Sequence, residues 1–243
     1  MNILILAAGQ DQVTQEDGYP LCLAEFDSVP LIQRVADACI ALEPQKLIVA
    51  FREEDVHKYH LDNILGLLSP QAKVLKIGAP TEGASCTALL AAQDIDADEE
   101  LLIVNGNELL HADFKAIISS FRQRGLDAGA VVFPSIHPRY SYVRLDKNKL
   151  VVEASEKNPI SNHATVGFYW FAKGNSFVRA AKNAIRKDAR VNGRFYICPT
   201  FNELVLEHLR IGVYEIDSRS YKPLKTGRQI EQFDAALEKG PRI

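Results

Sequence analysis

The sequence predicts an α/β fold with a mixed, mainly parallel central sheet of about seven strands. Short apolar segments typical of buried strands alternate along the chain with segments of helical period, which is the pattern of βαβ units. The first apolar segment, residues 2–7, is followed by the small residues Ala8 and Gly9. Ligands of such folds bind at the carboxyl ends of the strands, so this turn is expected to face the ligand.

The composition indicates one large globular domain. The chain has 243 residues, of which 47% are apolar, enough to bury a sizeable core. Its net charge of −3 argues against a nucleic-acid partner, because duplex binding requires a concentrated basic face. Four widely spaced cysteines without metal-ligand spacing favour buried thiols in the cytoplasm. No apolar run reaches the roughly 18 residues of a membrane span, so we expect none.

The first half of the chain is expected to alternate strands and helices. Asn2–Ala7 is almost wholly apolar, which predicts a strand buried on both faces. Pro30 begins a helix, because proline fits the first helical turn. The elements expected next are helix 31–42, strand 46–51, helix 53–61, strand 73–77, helix 83–93 and strand 101–104. On helix 53–61, Asp55, His57 and His60 are interpreted as a solvated face rather than a metal site.

The second half is expected to hold a hairpin and a long apolar segment between helices. The hairpin strands 141–145 and 149–154 flank the turn residues Asp146, Lys147 and Asn148. The other expected elements are helix 114–124, strand 128–133, the apolar segment 164–171, helix 175–186, helix 196–209 and strand 214–216. Together with the first half they give strands covered by helices on both faces.

Several segments together resemble the sugar-phosphate nucleotidyltransferases, which are the nucleotide-sugar pyrophosphorylases. They are Leu6-Ala7-Ala8-Gly9, Pro20, Leu23, Pro30-Leu31-Ile32, the segment 81–88, Gly106-Asn107, Glu156-Lys157 and the segment 164–171. The resemblance implies a Rossmann-like nucleotide-diphospho-sugar transferase fold of the GT-A type, with residues 1–243 as a single domain. Residues 1–125 would form a nucleotide-binding half and residues 126–243 a sugar-phosphate half.

The resemblance also implies a role for each matched residue. Nucleotide binding is expected from a set of mostly small residues: Leu6, Ala7, Ala8, Gly9, Thr81, Gly83, Ala84 and Gly106. The sugar phosphate is expected to contact Glu156, Lys157, Gly167 and Thr226. Asn107 takes the position of the metal-binding aspartate, and Asn107, Glu108 and Lys157 are the candidate catalytic residues. The implied partners are a nucleotide, a sugar 1-phosphate or a nucleotide sugar, with Mg²⁺ as the cofactor of an active enzyme.

Charged positions of the family signature carry other residues in this chain. Asp11 replaces a glycine, Val13 an arginine and Leu21 a lysine of the triphosphate site. Asn107 brings an amide oxygen, which can ligate Mg²⁺ but carries no charge. Glu108 can supply the missing negative charge at the metal position only if a turn begins at Asn107, since neighbouring side chains of a continuing strand point to opposite faces. Losing several charge-assisted phosphate contacts predicts slow turnover.

Three functions are compatible with these residues. The first is an active nucleotidyltransferase, which joins a nucleoside triphosphate to a sugar 1-phosphate for surface polysaccharide precursors and releases pyrophosphate. The second is a catalytically silent nucleotide-sugar binding or regulatory module. The third is a glycosyltransferase of the same fold, which usually needs a D-x-D motif near Asn107, where the sequence has none. An exposed face on the later strands would allow a homodimer.

Overall fold

The computed structural model describes residues 1–9 and 18–224. The α-helices in these residues are α1 (Leu31–Ile40), α2 (Glu53–Tyr59), α3 (Leu61–Leu68), α4 (Ala84–Leu90), α5 (Phe114–Gln123), α6 (Gly174–Arg186) and α7 (Phe201–Leu206). The strands are β1 (Asn2–Leu6), β2 (Glu25–Phe26), β3 (Val29–Pro30), β4 (Lys46–Arg52), β5 (Lys73–Ile77), β6 (Leu101–Asn105), β7 (Glu108–Leu110), β8 (Ala128–Pro134), β9 (Ser141–Leu145), β10 (Val151–Glu156), β11 (His163–Phe171), β12 (Ile211–Glu215) and β13 (Tyr221–Pro223).

A nine-stranded sheet forms the centre of the described residues and contains strands from both halves of the chain. Its main order is β10-β9-β11-β6-β1-β4-β5, and β8 joins it between β11 and β12. The strands β6, β1, β4 and β5 are parallel, whereas β11 runs antiparallel to β6, β8 and β9. The predicted α/β class with a mixed sheet is confirmed.

The register of the parallel strands aligns their carboxyl ends. Leu6 at the end of β1 lies beside Ala50 of β4 and Asn105 of β6. Arg52 at the end of β4 lies beside Ile77 of β5. The turns that follow these strands therefore emerge side by side at one edge of the sheet, which is where a ligand cleft is expected in an open α/β sheet.

Each face of the sheet packs against its own set of helices. On one face the core includes Ile3 and Ile5 of β1 with apolar side chains of α1, α3 and α5. On the other face Leu4 packs with side chains of α4, α6 and α7. Alternate side chains of a strand point to opposite faces, so residues 3–6 of β1 are all apolar because both faces are covered.

The structure corrects two predicted elements and one interpretation. Helix 53–61 is divided, because His60 adopts φ of 54° and separates α2 from α3. The helix predicted over 196–209 is a 3₁₀ turn, Cys198–Thr200, followed by the shorter α7. The interpretation of α2 as a solvated face is wrong for Asp55, which is 5% exposed and is paired with Arg52.

None of the helices within residues 1–9 and 18–224 has the length and apolar character to cross a membrane.

Candidate active site

A cleft of about 990 Å³ opens where the parallel strands end. Its floor and one wall come from the first half of the chain, through the turns that follow β1, β4, β5 and β6. The opposite wall comes from the second half and consists largely of polar side chains: Arg139, Ser141, Glu156, Lys157, Arg194 and Tyr196. The cleft therefore joins the two parts of the chain from which nucleotide and sugar phosphate contacts are expected.

The turn after β1 gives the cleft an open backbone surface. Leu6, Ala8 and Gly9 line the cleft, and no atom of the described residues lies within 4 Å of the position that a Cβ on Gly9 would take. Ala7 and Gly106 instead pack against each other, since a Cβ on Gly106 would lie 2.9 Å from Cβ of Ala7. These two residues lie behind the lining, and they bring β1 and the turn after β6 close together.

The segment before α4 is fixed by contacts with the second half of the chain. The N–H of Phe195 donates to the carbonyl oxygen of Glu82 at 2.7 Å. The N–H of Ser85 donates to the carbonyl oxygen of Phe195 at 3.1 Å. Between them, Gly83 has φ of 119°, and a Cβ there would lie 2.4 Å from the carbonyl oxygen of Phe195. Only glycine fits this position. Thr81, Gly83 and Ala84 all line the cleft.

Asn107 lies in the cleft, whereas Glu108 does not. A two-residue turn at Gly106 and Asn107 separates β6 from β7, so Glu108 already belongs to the next strand. Its carboxylate is buried, 7% exposed, and accepts hydrogen bonds from the N–H of Gly167 at 2.7 Å and from Nδ2 of Asn105 at 3.1 Å. The turn begins before Asn107, and Glu108 is aimed away from the expected metal position.

The residues near Asn107 do not fit a resident Mg²⁺ ion. Magnesium sites are built from one or two carboxylates together with substrate phosphates. Asn107 offers a neutral amide oxygen, and the neighbouring carboxylate of Glu108 is engaged with Gly167 and Asn105. Within residues 1–9 and 18–224, no group of three His, Cys, Asp or Glu side chains could hold a metal ion.

The predicted sugar-phosphate residues Glu156 and Lys157 lie next to each other in the far wall. The hydroxyl of Ser141 donates to the buried carboxylate of Glu156. Lys157 has φ of 56°, a conformation that costs a non-glycine residue of order 1 kcal/mol and that clusters at functional sites. This turn points its ammonium into the cleft, 5.3 Å from the ring centroid of Tyr196.

Arg139 adds a second exposed cation to this wall. Its guanidinium lies 4.9 Å from the ring centroid of Tyr140. In the described part of the chain, neither Arg139 nor Lys157 forms an ion pair with a carboxylate. Two cations without acidic partners on one side of a cleft favour an anionic ligand.

The remaining predicted residues are placed differently. Gly167 is buried against Asn105. A Cβ added to Gly167 would lie 2.2 Å from Nδ2 of Asn105, so the space beside this glycine is already occupied by protein. Thr226 lies outside the described residues, as do Asp11 and Val13. Leu21, at the position of the family lysine, is 1% exposed and belongs to the core.

Cys198 lies at the base of the cleft but is not arranged as a nucleophile. Its side chain is buried, and burial raises the pKa of its thiol far above the ordinary value. A thiol that stays protonated is a poor nucleophile. Nothing in the local sequence distinguished this cysteine from the other three, and the same holds for Arg139 and Tyr196 as cleft residues.

An open α/β sheet with a cleft across the ends of its parallel strands, and small residues at the first turn, is the architecture of nucleotide-binding proteins. The chain belongs to the nucleotidyl transferase family, whose model matches residues 5–198.

The individual relatives agree with this family. The chain is 28% identical over 191 residues to the bifunctional protein GlmU of Trichodesmium erythraeum (strain IMS101). The match covers 71% of this chain and 40% of that protein, so the chain spans well under half of its relative.

Two solved structures share the fold. A nucleoside-diphosphate-sugar pyrophosphorylase from Vibrio cholerae RC9 superposes with a TM-score of 0.83 at 19% identity, over 96% of this chain and 99% of that one. A protein provisionally named a glucose-1-phosphate thymidylyltransferase from Bacillus anthracis, solved in complex with a sucrose, gives a TM-score of 0.74 at 14% identity, over 100% and 97% of the two chains.

Proposed function

We propose that the cleft binds a nucleoside triphosphate and a sugar 1-phosphate and joins them slowly into a nucleotide sugar for surface polysaccharide. The observation that carries the proposal is the opposition of two surfaces across one cleft. The open backbone of Ala8 and Gly9 lies on one side, and the cations of Lys157 and Arg139 lie on the other.

In the proposed reaction, a phosphate oxygen of the sugar 1-phosphate attacks the α-phosphorus of the nucleotide. The bond from the α-phosphorus to the bridging oxygen breaks in line, and pyrophosphate leaves. Such phosphoryl transfer depends on positioning and on neutralising charge. Lys157 and Arg139 neutralise the attacking phosphate, and Gly83 and Thr81 shape the wall against which the nucleotide lies.

Slow turnover is part of the proposal. Asn107 supplies no charge where the family has a metal-binding aspartate, and Leu21 lies in the core where the family has a lysine. In the described residues, both the binding of a metal ion and the contribution of a cationic side chain to neutralising the triphosphate are therefore weakened.

A catalytically silent nucleotide-sugar binding module is the second candidate. The burial of Leu21 favours the silent module, because this position provides an apolar core side chain and no contact to a phosphate. Both candidates hold a nucleotide sugar in the cleft, as the product in the first and as the ligand in the second, and turnover distinguishes them.

The test combines binding with turnover. Thermal shifts are measured with nucleoside triphosphates, sugar 1-phosphates and nucleotide sugars, because a ligand specific for the native state raises the melting temperature. Pyrophosphate release is then followed with each pair that binds. We expect a shift and slow release. A shift without any release supports the silent module, and no shift with any ligand refutes both candidates.

We also propose a cytoplasmic location. Cys22, Cys39, Cys86 and Cys198 are free thiols in the structure, and the proposed substrates are phosphorylated metabolites.

A further inference from the structure

We infer that Glu53 selects the nucleobase and that the preferred nucleotide carries guanine. This inference rests on the proposed function, because it concerns the nucleotide that the same cleft binds. It starts from the charge at the nucleotide end of the cleft, where α2 begins directly after β4 with three consecutive carboxylates, Glu53, Glu54 and Asp55.

Arg52 engages two of these three carboxylates. Its Nε and Nη2 donate to the two oxygens of Asp55 at 2.7 and 2.9 Å, and its Nη1 donates to Glu54 at 2.8 Å. Glu53 is left out of this arrangement. Within the described residues its side chain lies near His57, with 3.7 Å between Nε2 and the carboxylate oxygen, and it is 50% exposed.

The sheet order places this carboxylate between two open stretches of backbone. β4 lies between β5 and β1, so the residue after β4 stands between Gly78, which follows β5, and Gly9, which follows β1. A Cβ on Gly78 would lie 2.8 Å from Oε2 of Glu53. The carboxylate of Glu53 thus lies over the exposed Gly78, and both residues line the cleft. It occupies the space that a larger side chain at position 78 would take.

The distribution of charge orients a nucleotide in the cleft. The cations Lys157 and Arg139 stand on the opposite wall, where they attract phosphates, and the negative charge of Glu53 repels phosphates. The uncharged end of a nucleotide is its base. The base therefore meets Glu53.

A carboxylate only accepts hydrogen bonds, so it discriminates among bases by their donors. Guanine presents N1–H and an N2 amino hydrogen side by side, which matches the two oxygens of one carboxylate. Cytosine and adenine each place an amino donor beside a ring-nitrogen acceptor, and uracil flanks N3–H with two carbonyl oxygens. Guanine is the base that donates to both carboxylate oxygens of Glu53 without placing a hydrogen-bond acceptor next to them.

The test is isothermal titration of GTP, CTP, ATP and UTP into wild type, Glu53→Gln and Asp62→Asn. Asp62 is the matched control, because it lies in the first turn of the next helix, is 46% exposed, pairs with Lys76 at 3.8 Å and lies outside the cleft lining. In wild type we expect GTP to bind roughly tenfold more tightly than UTP, the discrimination typical of a bidentate contact to a base.

Glu53→Gln is expected to remove this preference and to improve UTP binding, because an amide offers one donor and one acceptor to N3–H and a carbonyl of uracil. Asp62→Asn is expected to keep the wild-type ratio. Both variants should melt at the wild-type temperature, since both side chains are well exposed.

Equal affinities for the four nucleotides in wild type, or an unchanged ratio in Glu53→Gln, would overturn the inference and leave the proposed function standing. Absence of binding by any nucleotide would overturn both.

Discussion

The carboxylate of Glu108 accepts a hydrogen bond from the backbone N–H of Gly167, with 2.7 Å between Oε2 and N. The other carboxylate oxygen accepts from Nδ2 of Asn105, which lines the cleft. Glu108 therefore holds β11 and the floor of the cleft in place from beneath. It does not face the cleft, although it directly follows Asn107.

Glu108→Ala is expected to lower the free energy of unfolding by about 2–4 kcal/mol, because it leaves buried donors on Gly167 and Asn105 without an acceptor. Urea denaturation followed by circular dichroism measures the change. The control is Glu153→Ala, whose exposed pair with Arg144 is expected to contribute less than about 1 kcal/mol. Equal effects of the two variants would contradict the buried role of Glu108.

Gly83→Ala is expected to destabilise the protein by about 2 kcal/mol or more, because φ of 119° and the carbonyl of Phe195 exclude a Cβ. Gly9→Ala is the matched comparison, since an added Cβ there meets no atom within 4 Å among residues 1–9 and 18–224. It should keep the melting temperature while altering the cleft surface. Thermal melts of both variants test this, and a Gly83→Ala protein as stable as wild type would refute the close approach.

Lys157→Ala and Arg139→Ala are each expected to weaken binding of a sugar 1-phosphate or nucleotide sugar by about tenfold, since each removes a charge-assisted contact to phosphate. Titration calorimetry gives the affinities. Lys182→Ala serves as the control, because Lys182 is an exposed cation of α6 outside the cleft lining. Unchanged affinity in both cleft variants would show that the anion does not bind at this wall.

Asn107→Asp alone is expected to increase pyrophosphate release only slightly in the presence of Mg²⁺, because it adds the carboxylate that a magnesium site requires while Leu21 still leaves the triphosphate without a cation. A continuous pyrophosphate assay measures the rate for wild type and variant. Chelation of Mg²⁺ with EDTA should abolish the gain. An equal gain in EDTA would mean that the added charge acts without a metal.

Cys86 is expected to be the first thiol to react with a thiol reagent in the native protein. It is partly exposed, and burial raises its pKa, so its labelling should be slow at neutral pH and faster as the pH rises. Burial raises the pKa of Cys22 and of Cys39 to about 12, and these thiols should react only after unfolding. Mass spectrometry after timed labelling distinguishes the sites, and rapid labelling of Cys39 in the native state would contradict its burial.

The order of residues was enough to predict the α/β class, the family and the main strands. Residues 3–6 of β1 are apolar because helices cover both faces of the sheet, and that requirement is visible in a single segment. Gly83 was expected at the cleft from the turn with Thr81 and the motif over residues 81–88, and its φ of 119° explains why this position is glycine. Such signals are local: the residue type follows from the backbone at its own position.

The tertiary structure alone decided which polar residues face the cleft. Glu108 follows Asn107 in sequence, yet its partners are Gly167 and Asn105, and the first of these lies 59 positions away. Glu53 is available because Arg52 engages Glu54 and Asp55 instead. Arg139 and Tyr196 reach the cleft through the packing of distant segments. A sequence pattern reports the period of a segment, whereas the partner of a side chain depends on which segments the fold brings together.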